Sequence, residues 1–265
     1  MLIMLKNLQR RTHGTKPNIQ ERILIEAEKS RPNCLEGRLK LAYLVFFNVV
    51  QSFGFLYVLY LTAVHYSILG YASFAFTYDH LGFIVKLLHI MQILEIVHPI
   101  IGLTKGAPTV AFFQLLGRLF ILFIMIDPEP RMQTKAIVPY LYVVWSTIEV
   151  IRHIYYISQL AEKEISLLTW LRYSAWIILY PMGIFGEATV MVKNIPYFRE
   201  TMMFSITLPN TWNFSVDMIL ILRLQIFFLV CPVMYMLTNH MYKMRVKKMA
   251  QFRFKPFLVS KTLTS

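Results

Sequence analysis

Trp170–Glu187, WLRYSAWIILYPMGIFGE, is an apolar stretch that nevertheless holds Arg172, Tyr173, Tyr180 and Glu187. A helix that crosses a bilayer needs about 20 mostly apolar residues. Each ionisable side chain inside it costs on the order of 3 kcal/mol, so such a group turns to a partner or a cavity. Tyr180 and Glu187 are one heptad apart, within about 20° of each other around a helix and about 10 Å apart along it. A phenol and a carboxyl aimed into one membrane cavity point to proton-transfer chemistry. In a straight helix they stand too far apart to share a proton. Pro181, Gly183 and Gly186 predict a kink or unwinding between them.

The rest of the chain has the same character. Hydrophobic residues make up 57% of it and charged ones 15%, too few charges for a soluble domain. Six apolar runs stand out: Leu41–Val64, Gly82–Leu103, Pro108–Ile126, Ile137–Ser158, Ser166–Val192 and Met218–Leu237. Turn signals separate them at Tyr78-Asp79-His80, Lys105-Gly106-Ala107-Pro108, Asp127-Pro128-Glu129-Pro130 and Pro209-Asn210. The fold expected is an all-α integral membrane protein, a six-transmembrane-helix bundle. Residues 1–40 read as a basic leader, 41–237 as the membrane domain and 238–265 as a basic tail.

Lysine and arginine set the orientation. They total 27 against 14 acidic residues, a net charge of +13, and they gather at the two ends. Lys243, Arg245, Lys247, Lys248, Arg253, Lys255 and Lys261 fill the tail, whereas the loop Tyr66–Leu81 has none. By the positive-inside rule both termini are cytosolic, although Arg131 and Lys135 would then face the lumen. No nucleic-acid-binding motif accompanies the basic residues. The leader has too short an apolar core for a signal peptide. Asn213-Phe214-Ser215 is a glycosylation sequon on the lumenal side, close to the sixth run. Two cysteines, Cys34 in the leader and Cys231 in an apolar run, argue against a disulfide framework. Neither has an arginine six positions on, as a cysteine-based phosphatase needs.

Polar groups recur inside the apolar runs. The second carries Lys86, His89, Gln92, Glu95 and His98; the third, Gln114 and Arg118; the fourth, Glu149, Arg152 and His153. Lys86 and Arg223 lie near helix ends and read as snorkelling to the interface, and His89 as a packing hydrogen-bonder. Structural ion pairing competes with a site role for Glu95, Arg118, Glu149 and Arg152. Charges of both signs over four helices nonetheless exceed what packing requires. The expected orientation puts Glu95, His98, Gln114, Glu149, Arg152 and Arg172 in the cytosolic half. Arg118 and Tyr180 then lie near mid-depth and Glu187 deepest: a polar funnel suited to an amphiphile with a charged head and a long tail.

LYPMGIFGE (Leu179–Glu187) resembles the Tyr-Pro-x-Gly-x-x-x-Glu segment of the membrane 3-hydroxyacyl-CoA dehydratases, also named protein-tyrosine-phosphatase-like. WSTIEVIRHIYY (Trp145–Tyr156) is similar to that family's Trp…Glu-x-x-Arg-Tyr segment, with His153 in place of Tyr. LEIVHPIIGL (Leu94–Leu103) and FFQLLGR (Phe112–Arg118) resemble its Leu-Glu…His…Gly and Gln-x-x-x-Arg segments. The resemblance covers about Leu41 to Lys248. It implies dehydration of a 3-hydroxyacyl-CoA to the trans-2-enoyl-CoA, without a cofactor, in very-long-chain fatty acid elongation at the endoplasmic reticulum membrane, beside other elongation enzymes. Carried over by position, Tyr180 and Glu187 are the catalytic pair, and Glu95, Gln114, Arg118, Arg172 and Gly183 match further motif positions. One of the pair takes the α-proton and the other protonates the departing hydroxyl; which does which stays open. Glu149 and Arg152 complete the supporting set. An arginine near the cytosolic mouth, such as Arg172, suits CoA phosphates. The end LVSKTLTS departs from the dilysine retention signal of some members.

Two rivals remain. Glu95 and His98, with Glu149 and His153, echo the ligand spacing of di-iron bundles, although only one true Glu-x-x-His pair is present. A small transporter or a scaffold would use the same buried charges without turnover.

Overall fold

Apolar runs of bilayer length satisfy their backbone polar groups internally as helices. The structure, a computed structural model, describes residues 34–104, 108–163, 165–206, 215–228, 232, 234–236, 238–239, 241–247 and 250. Most of the leader and tail, and Asn213 of the sequon, lie outside the described residues. Among those described the fold is all-helical, and the β pairing is a lone antiparallel bridge between Ile206 and Val216. The chain divides into two units, 1–44 and 45–265. Of the first, the described residues are helical.

The helices are α1 (Cys34–Leu69), α2 (Ser73–Met91), α3 (Ile93–Ile100), α4 (Pro108–Phe120), α5 (Pro130–Gln133), α6 (Ile137–Leu160), α7 (Ser166–Ser174), α8 (Trp176–Thr201) and α9 (Met218–Phe228). Helices α1, α2 and α8 extend past the apolar runs that predict them. Two helical stretches, 36–100 and 166–201, are long and apolar enough to cross a membrane, and 111–126 and 218–228 are shorter apolar helices. The first, at 65 residues, would be about 98 Å long if straight, but it doubles back. Gly70 takes the left-handed conformation (φ 56°) that an L side chain disfavours, and the chain returns as α2.

Side-chain contacts fix the directions of the helices. Phe47 meets His98, Phe55 meets His89 and His65 meets His80, so the returning strand of helix is antiparallel to α1. His89 meets Trp145, Gln92 meets Glu149 and Glu95 meets Arg152. Both partners advance together, so α2–α3 and α6 are parallel. A Cβ built on Gly183 would lie nearest Val144 and one on Gly186 nearest Leu141, which makes α6 and α8 antiparallel.

Two helices carry irregularities. The helix breaks at Gln92, whose N–H bonds the Leu88 carbonyl at 3.1 Å, an oxygen that also accepts the Gln51 amide at 3.2 Å. α4 continues into a π-helical turn over Ile121–Ile126, closed by the Asp127 N–H on the Leu122 carbonyl. By contrast α8 is unbroken from Trp176 to Thr201. The predicted unwinding between Tyr180 and Glu187 does not occur; the interruption lies before both, at Ala175.

The buried core is split by chemistry. Leu81, Val85, Ile121, Leu122, Met125, Leu141, Tyr142, Val190, Met191 and Phe198 pack at one end. Gln92, Glu149 and His153 are buried toward the other, while Thr77, Glu129 and Asn194 are polar residues buried beside the apolar cluster. Large apolar side chains also face outward, Phe53 at 68% and Phe83 at 73% exposure among them, a surface that water disfavours and lipid tolerates.

The loop after α4 is tied down by charge. Lys86 does not snorkel freely: its ammonium pairs with Asp127 at 2.5 Å and reaches Tyr78 Oη at 3.2 Å. Glu129 caps α5 by accepting the Arg131 N–H. The Arg131 guanidinium, bonded to it at 2.7 Å, holds this carboxyl below the usual carboxylate range against the opposing effect of burial. Arg131 also reaches Glu200 at 2.6 Å and stacks 4.2 Å from the Tyr197 ring centre.

Candidate active site

The parallel contact of α3 with α6 sets two matched rungs face to face. Gln92 and Glu95 are three residues apart on one side, Glu149 and Arg152 three apart on the other. Gln92 Nε2 donates to Glu149 Oε2 at 2.7 Å. Arg152 forks onto Glu95, with Nη1 on Oε2 and Nη2 on Oε1, each at 2.9 Å, and its Nη2 also pairs with Glu149. Arg118 of α4 supplies a second guanidinium to Glu149.

Two carboxylates and two guanidiniums thus sum to zero charge. Glu149 is 2% exposed, Arg118 13% and Arg152 14%, and charges so far from water persist only when paired and hydrogen-bonded. Buried His153 bonds Asn48 Oδ1 through Nδ1 at 2.9 Å and turns Nε2 toward Glu95 and Glu149, at 3.4 and 3.5 Å. A cavity of about 20 Å³, room for one water, lies among Gln92, Glu95, Gln114, Arg118, Glu149 and Arg152, with Ala111 and Leu115 completing its wall.

Tyr180 and Glu187 join this cluster through donors on other helices. Gln114 of α4 donates its amide N–H to Tyr180 Oη. Trp145 of α6 donates its indole N–H to Glu187 Oε1 at 3.1 Å. The Trp145 ring is buried, with the Arg118 guanidinium 5.9 Å from its centre and the His89 ring 5.4 Å away. His89 bonds the Val85 carbonyl at 2.7 Å, the packing role expected of it.

Five of the sequence-derived candidates therefore converge: Glu95, Gln114, Arg118, Glu149 and Arg152. Arg172, on α7, does not line the cavity, and among the described residues it makes no hydrogen bond or ion pair. Gly183 is buried, yet a Cβ there would meet only Val144 Cγ1 at 3.9 Å, so packing does not demand glycine. Gly186 is the constrained one: its Cβ would lie 2.5 Å from Leu141 Cδ2 and 3.0 Å from Tyr140 Cε1. Three participants were not in the candidate set. Gln92 is visible as an uncharged polar residue in an apolar run. Trp145 heads the segment that resembles the family's Trp…Glu-x-x-Arg-Tyr pattern, and Asn48 is marked by no local pattern.

The metal alternative has a geometric counterpart. One ligand atom each from Glu95, Glu149 and His153 lies within 4.8 Å of the others, whereas the ring of His98 packs edge-on to Phe47, 5.1 Å between centres. Both carboxylates already hold guanidiniums. A cation placed there would have to displace Arg152 or sit beside its positive charge.

The family model described as protein tyrosine phosphatase-like protein, PTPLA, matches residues 89–251. The very-long-chain (3R)-3-hydroxyacyl-CoA dehydratase of Danio rerio is 35% identical over 212 residues, 79% of this chain and 58% of that protein. Dehydratase 3 of the same description from Bos taurus is 40% identical over 171 residues, 64% of this chain and 47% of that protein. Dehydratase 2 from Homo sapiens is 31% identical over 176 residues, 66% of this chain and 68% of that protein. The chain thus spans about half the length of the first two. No solved structure gives a significant match.

Proposed function

The chain belongs to the protein tyrosine phosphatase-like, PTPLA, family, and on that premise we propose that it dehydrates 3-hydroxyacyl-CoA to trans-2-enoyl-CoA in very-long-chain fatty acid elongation. The observation that carries the reading is a phenol and a carboxyl on one helix, each accepting an N–H from a different neighbouring helix. The relatives' names supply the reaction. Removing water from a β-hydroxy thioester moves protons and breaks a C–O bond with no change in overall oxidation state, so two proton-transfer groups suffice and no redox cofactor is needed. Tyr180 and Glu187 are those groups. Glu95, Gln114, Arg118, Glu149, Arg152 and Gly183 support them, and Arg172 meets the CoA phosphates.

Around this site the apolar runs form six membrane spans within residues 41–237, flanked by a basic leader and a basic tail in the cytosol. The endoplasmic reticulum membrane is the location, and the other elongation enzymes are its partners. The polar end of the core, with its cavity, faces the cytosol where acyl-CoA is found; the apolar end receives the acyl chain.

The test is turnover of a long-chain 3-hydroxyacyl-CoA by the purified chain, followed by enoyl-CoA formation. Tyr180→Phe and Glu187→Gln are each expected to lower kcat by at least about 10²-fold while the protein stays folded. A chelator is expected to leave the rate unchanged, and loss of activity on chelation would favour a metal at Glu95, Glu149 and His153. If both variants run at the wild-type rate, the assignment of the pair is wrong. No turnover by the wild type would favour a scaffold or transporter.

A further inference from the structure

Gln114 and Tyr180 form a side-chain pair whose polarity has chemical consequences. The amide Nε2 of Gln114 donates and the phenol oxygen accepts. A phenol oxygen carries one hydrogen of its own and two acceptor sites. With an acceptor site taken by Gln114, the phenol hydrogen is free to point away from it. Had a carboxylate stood at this position, it could only accept, and the phenol would spend its hydrogen on it. Glu95 and Glu149 line the same cavity as Gln114. Both are occupied by Arg152, and Glu149 also by Arg118 and Gln92.

We propose that Gln114 is a positioning residue that orients the Tyr180 phenol, so that its proton is delivered to the substrate's departing hydroxyl. The inference rests on the dehydratase reading above. In the step, the Tyr180 O–H bond breaks and its proton goes to the 3-hydroxyl oxygen. The C3–O bond breaks with its electron pair leaving as water. The C2–H pair becomes the C2=C3 double bond, and its proton is taken by Glu187. Tyr180 is left as a phenolate, which the Gln114 N–H stabilises through a charge-assisted bond. A proton passing from Glu187 to Tyr180 through solvent restores the pair.

The decisive comparison is Gln114→Glu with Gln114→Met, in the full chain and with enoyl-CoA formation as the readout. Methionine keeps the length and removes the donor; kcat is expected to fall about tenfold with KM within twofold. Glutamate keeps a hydrogen bond but reverses it, and kcat is expected to fall about a hundredfold at neutral pH. The Gln114→Glu rate should then recover as the pH is lowered, because a protonated carboxyl donates again. The groups facing position 114 are Tyr180 on α8, Arg118 on its own helix, Gln92 and Glu95 at the start of α3, and Glu149 and Arg152 on α6. A purely structural bond predicts near-normal activity for Gln114→Glu and no such recovery, and that result overturns the proposal. If Gln114→Glu does not fold, the methionine variant decides: wild-type kcat in it overturns the proposal, and a tenfold loss at constant KM supports it. A wild-type chain without turnover instead overturns the dehydratase reading, and the proposal with it.

Discussion

At the scale of single residues, Glu149 is the most committed group in the molecule. It receives two guanidiniums and an amide while almost wholly buried. Removing one partner of a buried ionic cluster leaves uncompensated charge, a loss of about 3–5 kcal/mol. Glu149→Ala is therefore expected to lower the melting temperature in detergent sharply, with Arg118 and Arg152 left facing each other. A melt within about 1 °C of wild type would mean that water or lipid headgroups already solvate the two arginines. The sequence exposed the cost of placing Glu149, Arg118 and Arg152 in apolar runs, because cost follows from residue type and local surroundings. It did not expose who pairs with whom. Arg118 and Glu149 are 31 residues apart and Asn48 and His153 are 105 apart, and no helical periodicity links such positions.

At the scale of elements, the α6–α8 contact is decided by one glycine. At Gly186 an added methyl would overlap Leu141, whose side chain is 0% exposed and has little room to turn aside. Overpacking of this kind costs about 1–3 kcal/mol. At Gly183 the same methyl meets only an ordinary contact, and alanine gains up to about 1 kcal/mol over glycine in a helix interior. Gly186→Ala should thus lower thermal stability while Gly183→Ala leaves it unchanged or raises it, read from melting of the two purified variants. Equal effects would refute this account of the helix crossing. The two glycines look alike in sequence, both near Pro181, where they predict a break in the helix. The structure keeps α8 continuous and uses Gly186 for close approach. Sequence locates the flexible residues; the neighbour that presses on one of them is contributed by another helix.

At the scale of the whole molecule, the basic ends and the polar half of the core belong to one argument about orientation. Arg131 counts against a lumenal loop when charges are tallied along the chain. In three dimensions it is held by Glu129 and Glu200, so its charge is locally compensated. Epitope tags at either end are accordingly expected to be accessible in sealed microsomes, and a tag inserted at 134–136 only after the membrane is opened. Protection of either terminal tag would reverse the proposed orientation. The sequence by itself determined the membrane class, the apolar runs, the family and the polar residues that need partners. Each of these depends on composition within a few turns of chain or on motif order. Only the tertiary structure decided that α3 and α6 run parallel with their rungs matched, that Gln114 meets Tyr180 and Trp145 meets Glu187, and that Arg172 stands apart from the cavity. Those outcomes depend on helix direction, rotation and depth relative to one another, which are set by packing between segments distant in the chain.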